Sequence, residues 1–244
     1  MVILAHVGPC RTIFEIRTFD VVLMVFVSGL TFSLKENFNY VGYLKKRALR
    51  LIIPTFIFLT VYFVLQYTFT HQIDFHNMVM SYSLVSGIGY VWIIRIFLLI
   101  MLVAPIIYKI TIQLPIRQMI LLYGALIVGA DVLTKLSQDM PSVLQNILSL
   151  IVIPIIGYSI PYSVAIKIKS NQESLRTLLP MVVVCLIASI ALYVALGDEL
   201  LIHLYKSPPR SIYLLYGVSV SILLCLLLRR FNELIPNKIL LGGG

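Results

Sequence analysis

The sequence KKRALRLIIP, residues 45–54, joins four cations to the start of a long apolar run. A second apolar run, residues 21–34, lies just upstream. A basic cluster between two such runs fixes which way a chain lies in a bilayer, because the cytoplasmic loops of membrane proteins are rich in Lys and Arg. The cluster also places cations at one face of whatever space the helices enclose.

The composition is that of an integral membrane protein. Hydrophobic residues make up 60% of the chain and charged residues 12%, and the mean hydropathy is +0.99, far outside the range of soluble globular domains. The net charge of +9 does not indicate a nucleic-acid partner, because the cations lie between apolar runs that would contact membrane lipid. The three cysteines lack metal-ligand spacing, and we predict no metal site.

The apolar runs predict an all-α, polytopic transmembrane helix bundle. They are continuous and lack the period-two alternation of barrel strands, so helices are favoured. A partial N-terminal helix is expected at residues 1–9. The predicted full spans, about seven in number, are residues 18–34, 51–69, 90–108, 117–133, 143–164, 177–196 and 211–228. Residues 70–89 contain no Lys or Arg and predict a short interfacial helix around His76 to Leu84.

The distribution of Lys and Arg over the loops predicts the orientation. Alternate loops, residues 35–50, 109–117, 165–176 and 229 onward, hold thirteen of these cations, whereas the intervening loops hold five. By the positive-inside rule the first set is cytoplasmic. The remaining cation, Arg95, lies inside a span. We therefore expect a multi-pass protein of the inner or plasma membrane.

Arg47 and Arg50 are the first candidate binding residues. They are three residues apart, so in a continuous helix they share a face. Two neighbouring guanidinium groups suit a phosphate-bearing ligand better than a lone carboxylate. The alternative is ordinary positive-inside anchoring, and the spacing does not decide between the two.

Arg95 is a second candidate, with Trp92 one turn before it. An arginine at the membrane centre costs about 2.5–3.5 kcal/mol on insertion scales, although snorkelling reduces that cost near the interface. The two interpretations are a snorkelling arginine beside an interfacial tryptophan and a cation that lines an internal cavity. We favour the cavity.

His6 and Asp20 are candidates for acid–base chemistry. Histidine titrates near neutral pH and is the usual general base for a hydroxyl, although His6 could equally be an interfacial residue at a helix end. Asp20 opens a predicted span and could orient His6, or it could be a solvated acid. Ser28-Gly29, within the same span, indicates either close helix packing or backbone that is open to a ligand. The sequence contains no Walker, zinc-protease, CxxC or dinucleotide motif.

Several stretches taken together resemble acyltransferase family 3, membrane proteins that O-acylate cell-surface polysaccharides and related acceptors. The order and spacing of the stretches make the resemblance, which spans most of the chain. The matching residues are His6, Phe19-Asp20 through Ser28-Gly29-Leu30, Arg47-x-x-Arg50-Leu-x-x-Pro54, Gly89 to Arg95 followed by Pro105, and Lys206 to Tyr213.

The resemblance implies a function and a set of roles. An acyl group, most often acetyl, would pass from cytoplasmic acyl-coenzyme A, as a substrate and not a bound cofactor, to a hydroxyl of an exported or cell-surface polysaccharide or a lipid-linked sugar. The resemblance implies a bacterial membrane and a catalytic pair, His6 and Asp20. The donor would be bound by Arg47, Arg50, Ser28 and Gly29, and the acceptor or cavity side would hold Trp92 and Arg95.

The resemblance also predicts how much of the domain is present. In the family a basic residue precedes the histidine by about three turns, and a final helix follows. We therefore expect one membrane acyltransferase-like domain over residues 1–244, with an incomplete first helix at 1–9 and a final helix missing after residue 240. Two other interpretations stay open: a transporter or flippase for a lipid-linked glycan or an anion, although no internal repeat supports it, and an inactive truncated remnant.

Overall fold

The computed structural model describes residues 17–32, 39–72, 74–89, 91–171, 182–191 and 205–234. These ranges are helical and contain no β-strand, which confirms the all-α prediction. His6 and the partial helix predicted at 1–9 lie outside the described residues. The helices are α1 Asp20–Thr31, α2 Tyr40–Thr70, α3 Phe75–Tyr82, α4 Val91–Gln113, α5 Ile116–Leu136, α6 Ser142–Ile147, α7 Ile153–Asn171, α8 Val182–Ala191 and α9 Ser211–Leu234.

Five helical segments are long and apolar enough to cross a membrane, which confirms an integral membrane protein. They are Tyr40–Thr70, Val91–Gln113, Ile116–Asp139, Ser142–Ser170 and Ser211–Arg229. The fourth joins α6 to α7 through a π-helical turn, Leu148–Val152. The predicted spans 18–34 and 177–196 correspond to the shorter helices α1 and α8, both bordered by residues outside the described ranges. The count of seven spans stays a prediction.

The basic cluster lies inside helix α2 and not in the loop before it, which corrects the predicted loop boundary of residue 50. The helix begins after Asn39, whose side chain accepts a hydrogen bond from the backbone N–H of Gly42 at 2.9 Å. Asparagine is a favourable N-cap, and Lys, Arg, Ala and Leu, which fill the next turns, are good helix formers. Four cations therefore project from the first three turns of a helix that continues through Pro54.

Helix α7 lies at the centre of the bundle and packs against α1, α4, α5 and α9. Its side chains from residue 160 to residue 168 are all buried. Helix α1 is wedged between α7 and α9 because two glycines allow close approach. A Cβ at Gly29 would lie 2.5 Å from the carbonyl oxygen of Tyr162 in α7, and a Cβ at Gly217 of α9 would lie 2.6 Å from Val22.

Two lysines tie α7 to its neighbours at one end of the bundle, which we call the basic end. The buried Lys167 donates from Nζ to the carbonyl oxygens of Thr111 and Leu114, at 3.1 and 2.7 Å, where α4 finishes. Lys169 donates to the carbonyl oxygen of Phe32 at 3.1 Å, just after α1. Carbonyl groups in the last turn of a helix have no partner within it, and cations stabilise them. The other end of the bundle, where α1, α4, α7 and α9 begin, is called the opposite end.

Candidate functional site

Arg47 is held at the basic end by two hydroxyl groups. Its Nη1 donates to the Tyr43 hydroxyl at 2.9 Å and to Oγ of Ser28 in α1 at 3.3 Å. The guanidinium carbon also lies 5.5 Å from the centre of the Tyr43 ring, within cation–π range. Tyr43 precedes Arg47 by four residues, so the helix itself sets that contact. The guanidinium is partly buried and fixed in position.

The hydrogen bonds of Arg47 to Ser28 and Tyr43 use only part of its capacity. A guanidinium has five N–H donors, and both of these hydrogen bonds use Nη1. Within the described ranges, no carboxylate forms an ion pair with it. A fixed, partly buried cation with no counter-ion in the described ranges favours an anionic partner, and phosphate oxygens match the fork of a guanidinium.

An aromatic cluster lies beside this guanidinium. The ring of the buried Phe32 packs against those of Tyr43, Tyr108 and Tyr162, with centroid distances of 5.6, 5.7 and 5.9 Å. The Tyr162 hydroxyl is buried and interacts with the Tyr43 hydroxyl and the Arg47 guanidinium, although neither contact meets strict hydrogen-bond geometry. Tyr162 is therefore a third hydroxyl group beside Arg47.

The other predicted donor-binding residues have different surroundings. Arg50 is exposed and makes no hydrogen bond to a described residue. Arg47 and Arg50 therefore share no partner among the described residues. Ser28 belongs to the site through Arg47. At Gly29 the space that a side chain would occupy is filled by Tyr162 and Ala165 of α7, which gives the packing interpretation a geometric basis. The donor-binding roles of Arg50 and Gly29 stay predictions.

Asp20 lies at the opposite end, in a second polar cluster. Its Oδ1 accepts from Nζ of Lys206 at 3.2 Å and from the backbone N–H of Val21 at 2.8 Å. The two charged side chains are 16% and 10% exposed, so the pair is largely withdrawn from water. The hydroxyl of the buried Tyr158 donates to the carbonyl oxygen of Lys206 at 2.9 Å, and the Tyr158 ring packs edge-on against Tyr213. The alternative of a solvated acid is therefore wrong for Asp20.

Arg95 contributes to the same end of the bundle. Its Nη1 donates to the carbonyl oxygens of Leu84 and Val85, at 3.2 and 3.0 Å, and so holds the loop between α3 and α4. Its Nε is buried without a partner among the described residues, and Tyr158 of α7 lies within electrostatic range of the guanidinium. Trp92, one turn earlier, packs against the main core. The cavity or acceptor roles of both residues stay predictions.

Helices α1 and α7 connect the two clusters. Asp20 and Ser28 are eight residues apart on α1, about 12 Å along its axis, and Tyr158 and Tyr162 are four apart on α7, about 6 Å. Between these positions Val21, Val22, Val25 and Phe26 of α1 are packed in the core, whereas Met24 and Val27 are exposed. A cavity of about 460 Å³ between α5, α7, α8 and α9 is lined by apolar side chains and includes neither cluster.

Sequence reasoning assigned no role in these clusters to Tyr43, Lys206 or Tyr162, although Lys206 belongs to a stretch that carries the resemblance. The contact of Tyr43 with Arg47 could have been predicted, because the two residues are four positions apart on one helix. The pairing of Lys206 with Asp20 crosses 186 positions of sequence, and no local pattern reports it. Tyr162 lies in an apolar run. There the sequence does not distinguish a tyrosine that binds a ligand through its hydroxyl from one whose ring only fills the core.

The comparisons with known proteins give one match. A family model described as an acyltransferase domain matches residues 1–241, nearly the whole chain. No curated protein and no solved structure shows a significant match.

Proposed function

The chain belongs to acyltransferase family 3 and is a membrane acyltransferase, and on that premise we propose that it moves an acyl group, most simply acetyl, from acyl-coenzyme A to a hydroxyl of an exported or cell-surface polysaccharide. Under this proposal the basic end faces the cytoplasm of a bacterial cell and receives the donor. The opposite end faces the acceptor.

One observation supports the donor assignment above the others. The Arg47 guanidinium is held by Ser28 and Tyr43 through a single nitrogen, has no counter-ion among the described residues and lies beside the buried Tyr162 hydroxyl. Coenzyme A brings several phosphate groups, each able to accept paired N–H bonds from such a group. A cation that served only to anchor the chain would not need two hydroxyl groups to fix its direction.

The proposed chemistry needs a base for the acceptor hydroxyl. His6 would take the hydroxyl proton while the hydroxyl oxygen attacks the thioester carbonyl carbon. The carbon–sulfur bond then breaks, the acyl group stays on the acceptor oxygen, and the coenzyme A thiolate leaves and takes up a proton. Base catalysis of this kind contributes about 10²–10⁴-fold. Under this proposal Asp20 would orient His6, and the ion pair with Lys206 holds the Asp20 carboxylate in place.

This function can be tested with membranes that are prepared from the native host and contain the protein. Radiolabelled acetyl-coenzyme A is added and the label in extracted polysaccharide is counted for wild type, His6→Ala, Arg47→Ala and Lys46→Ala. Lys46 is an exposed cation next to Arg47 and serves as the matched control. We expect His6→Ala to abolish transfer and Arg47→Ala to raise the KM for the donor about 10–100-fold at unchanged kcat. Lys46→Ala should behave as wild type.

Two results would overturn the proposal. Label that never enters polysaccharide in wild-type membranes, while a lipid-linked glycan is still translocated, would favour the flippase. Equal losses for Arg47→Ala and Lys46→Ala would show that Arg47 contributes only general positive charge.

A further inference from the structure

A small polar cavity lies at the opposite end of the bundle, between the end of α5, α6 and the loop that precedes α9. Its volume is about 200 Å³. Pockets for drug-sized ligands measure about 300–1,000 Å³, so this one has room for a single small ring. The residues that line it and enter the argument are Gln138, Gln145, Ser149, Tyr205, Pro208 and Arg210.

The polar groups of this cavity are available to a ligand. Within the described part of the chain, the side chains of Gln138, Gln145 and Arg210 make no hydrogen bond. The Ser149 hydroxyl donates to the carbonyl oxygen of Asn146 at 3.4 Å, which leaves its oxygen free to accept. The cavity therefore presents amide and guanidinium donors together with amide and hydroxyl acceptors.

One wall of the cavity is an aromatic ring backed by a cation. The guanidinium carbon of Arg210 lies 5.0 Å from the centre of the Tyr205 ring. Stacking on a ring holds a guanidinium in one plane while its edge stays available for hydrogen bonds. A flat aromatic surface beside planar polar groups suits a ligand that has an apolar face and a rim of hydroxyl groups.

The loop that supplies this wall is fixed at three points. Lys206 pairs with Asp20 at 3.2 Å, and the Lys206 carbonyl oxygen accepts from the Tyr158 hydroxyl at 2.9 Å. The backbone N–H of Ser211 donates to Oδ1 of Asp131, in α5, at 3.1 Å. The cavity is therefore preformed, and its wall adjoins the cluster that contains Asp20.

We propose that this cavity is the acceptor subsite, which binds one sugar ring of the polysaccharide. The inference rests on the proposed function and adds to it where the acceptor is held. The chemistry favours a sugar over a lipid phosphate, because two neutral amides and several hydroxyls surround a single cation. In this arrangement Tyr205 takes the apolar face of the ring, and Arg210, Gln138 and Gln145 bind its hydroxyl groups.

Protection from a thiol reagent tests the subsite without any acyl transfer. Gln138→Cys is made in the full chain with its three native cysteines replaced by serine, and the rate of reaction with a membrane-impermeant maleimide is measured in nanodiscs. Lys135→Cys, at an exposed position that does not line the cavity, is the matched control. The probes are methyl β-glucopyranoside, its uronate and, as a lipid-headgroup mimic, glycerol 1-phosphate.

We expect either sugar to slow labelling at position 138 and to leave position 135 unchanged. Equal rates with and without both sugars would overturn the proposal. Slowing by glycerol 1-phosphate alone would also overturn it and assign the cavity to lipid headgroups.

Kinetics provide the second measurement. Arg210→Gln and Gln145→Ala should each raise the KM for the polysaccharide about tenfold, while the KM for acyl-coenzyme A stays unchanged. Asn146→Ala, an exposed neighbour outside the cavity, should change neither constant. Sugar protection in a protein that transfers no acyl group refutes the proposed function and keeps the sugar site. Intact transfer without protection and with an unchanged polysaccharide KM refutes the subsite alone.

Discussion

Replacing Gly29 with alanine distinguishes its two interpretations, helix packing and donor binding. The added Cβ would lie 2.5 Å from the carbonyl oxygen of Tyr162 and 2.9 Å from Cβ of Ala165. Ordinary contacts begin near 3.4 Å, so α1 would have to move away from α7 by about 0.9 Å. Both neighbours belong to a helix in the centre of the bundle and have little freedom to yield. Overpacking of this kind costs about 1–3 kcal/mol.

Gly124→Ala is the matched control. No heavy atom lies within 4 Å of a Cβ built at Gly124, and alanine in the middle of a helix is favoured over glycine by roughly 0.5–1 kcal/mol. Gly29 also lies inside a helix, so the gain from alanine is common to both variants and cancels. The two variants should therefore differ in the free energy of unfolding by about 1–3 kcal/mol, the cost of overpacking. The chain has a single tryptophan, Trp92, packed against the core, so its fluorescence during titration with a denaturing detergent reports unfolding.

Equal unfolding midpoints for Gly29→Ala and Gly124→Ala would refute the packing argument. A Gly29→Ala protein that keeps its stability but has a raised KM for acyl-coenzyme A would instead support direct contact of this glycine with the donor.

Three further perturbations test the contacts around the two clusters. Tyr43→Phe removes one of the hydroxyls that hold Arg47, and we expect the KM for acyl-coenzyme A to rise about tenfold at unchanged kcat; unaltered kinetics would contradict this positioning role. Lys206→Met leaves the Asp20 carboxylate without its partner and should destabilise the protein. Adding Asp20→Asn should then raise the free energy of unfolding in detergent by about 1 kcal/mol. A double variant that is less stable than Lys206→Met alone would argue against coupling. Arg95→Met removes the donor to two loop carbonyls, and amide exchange in the loop between α3 and α4 should accelerate about tenfold while α5 is unchanged. Identical exchange in that loop would show that other contacts hold it.

The parts of the fold that depend on local composition were predictable from the sequence. Continuous apolar runs identified the helices and the membrane, because a backbone in lipid must satisfy its own hydrogen bonds. The short helix before the third long span was predicted around His76 to Leu84 and is found at Phe75–Tyr82. The start of α2 was placed too late because charged residues were assigned to the loop, although Lys and Arg form helices well.

The candidate site was predictable only in part, because its contacts are distant in sequence. Arg47 was identified by its charge and spacing, and the structure adds the hydroxyl groups that orient it. The ion pair of Asp20 with Lys206 joins two residues that are 186 positions apart in the sequence. Lys167 was counted as a loop cation, yet it is buried and binds the final carbonyls of α4. Such roles follow from which helices are neighbours, and periodicity within one helix does not contain that information.

The wedged position of α1 has a consequence for how the two ends of the protein communicate. This short helix has Ser28 near one terminus, in contact with Arg47, and Asp20 at the other, in contact with Lys206. Close contacts at Gly29 of α1 and at Gly217 of α9 hold this helix against both neighbours. We therefore expect it to shift as one rigid body and not to bend. Under the proposed function, any free energy by which a bound donor favours one position of this helix also acts at the end that would bind the acceptor. Thermodynamic linkage requires the effect to be mutual: whatever factor the donor applies to acceptor affinity, the acceptor applies to donor affinity.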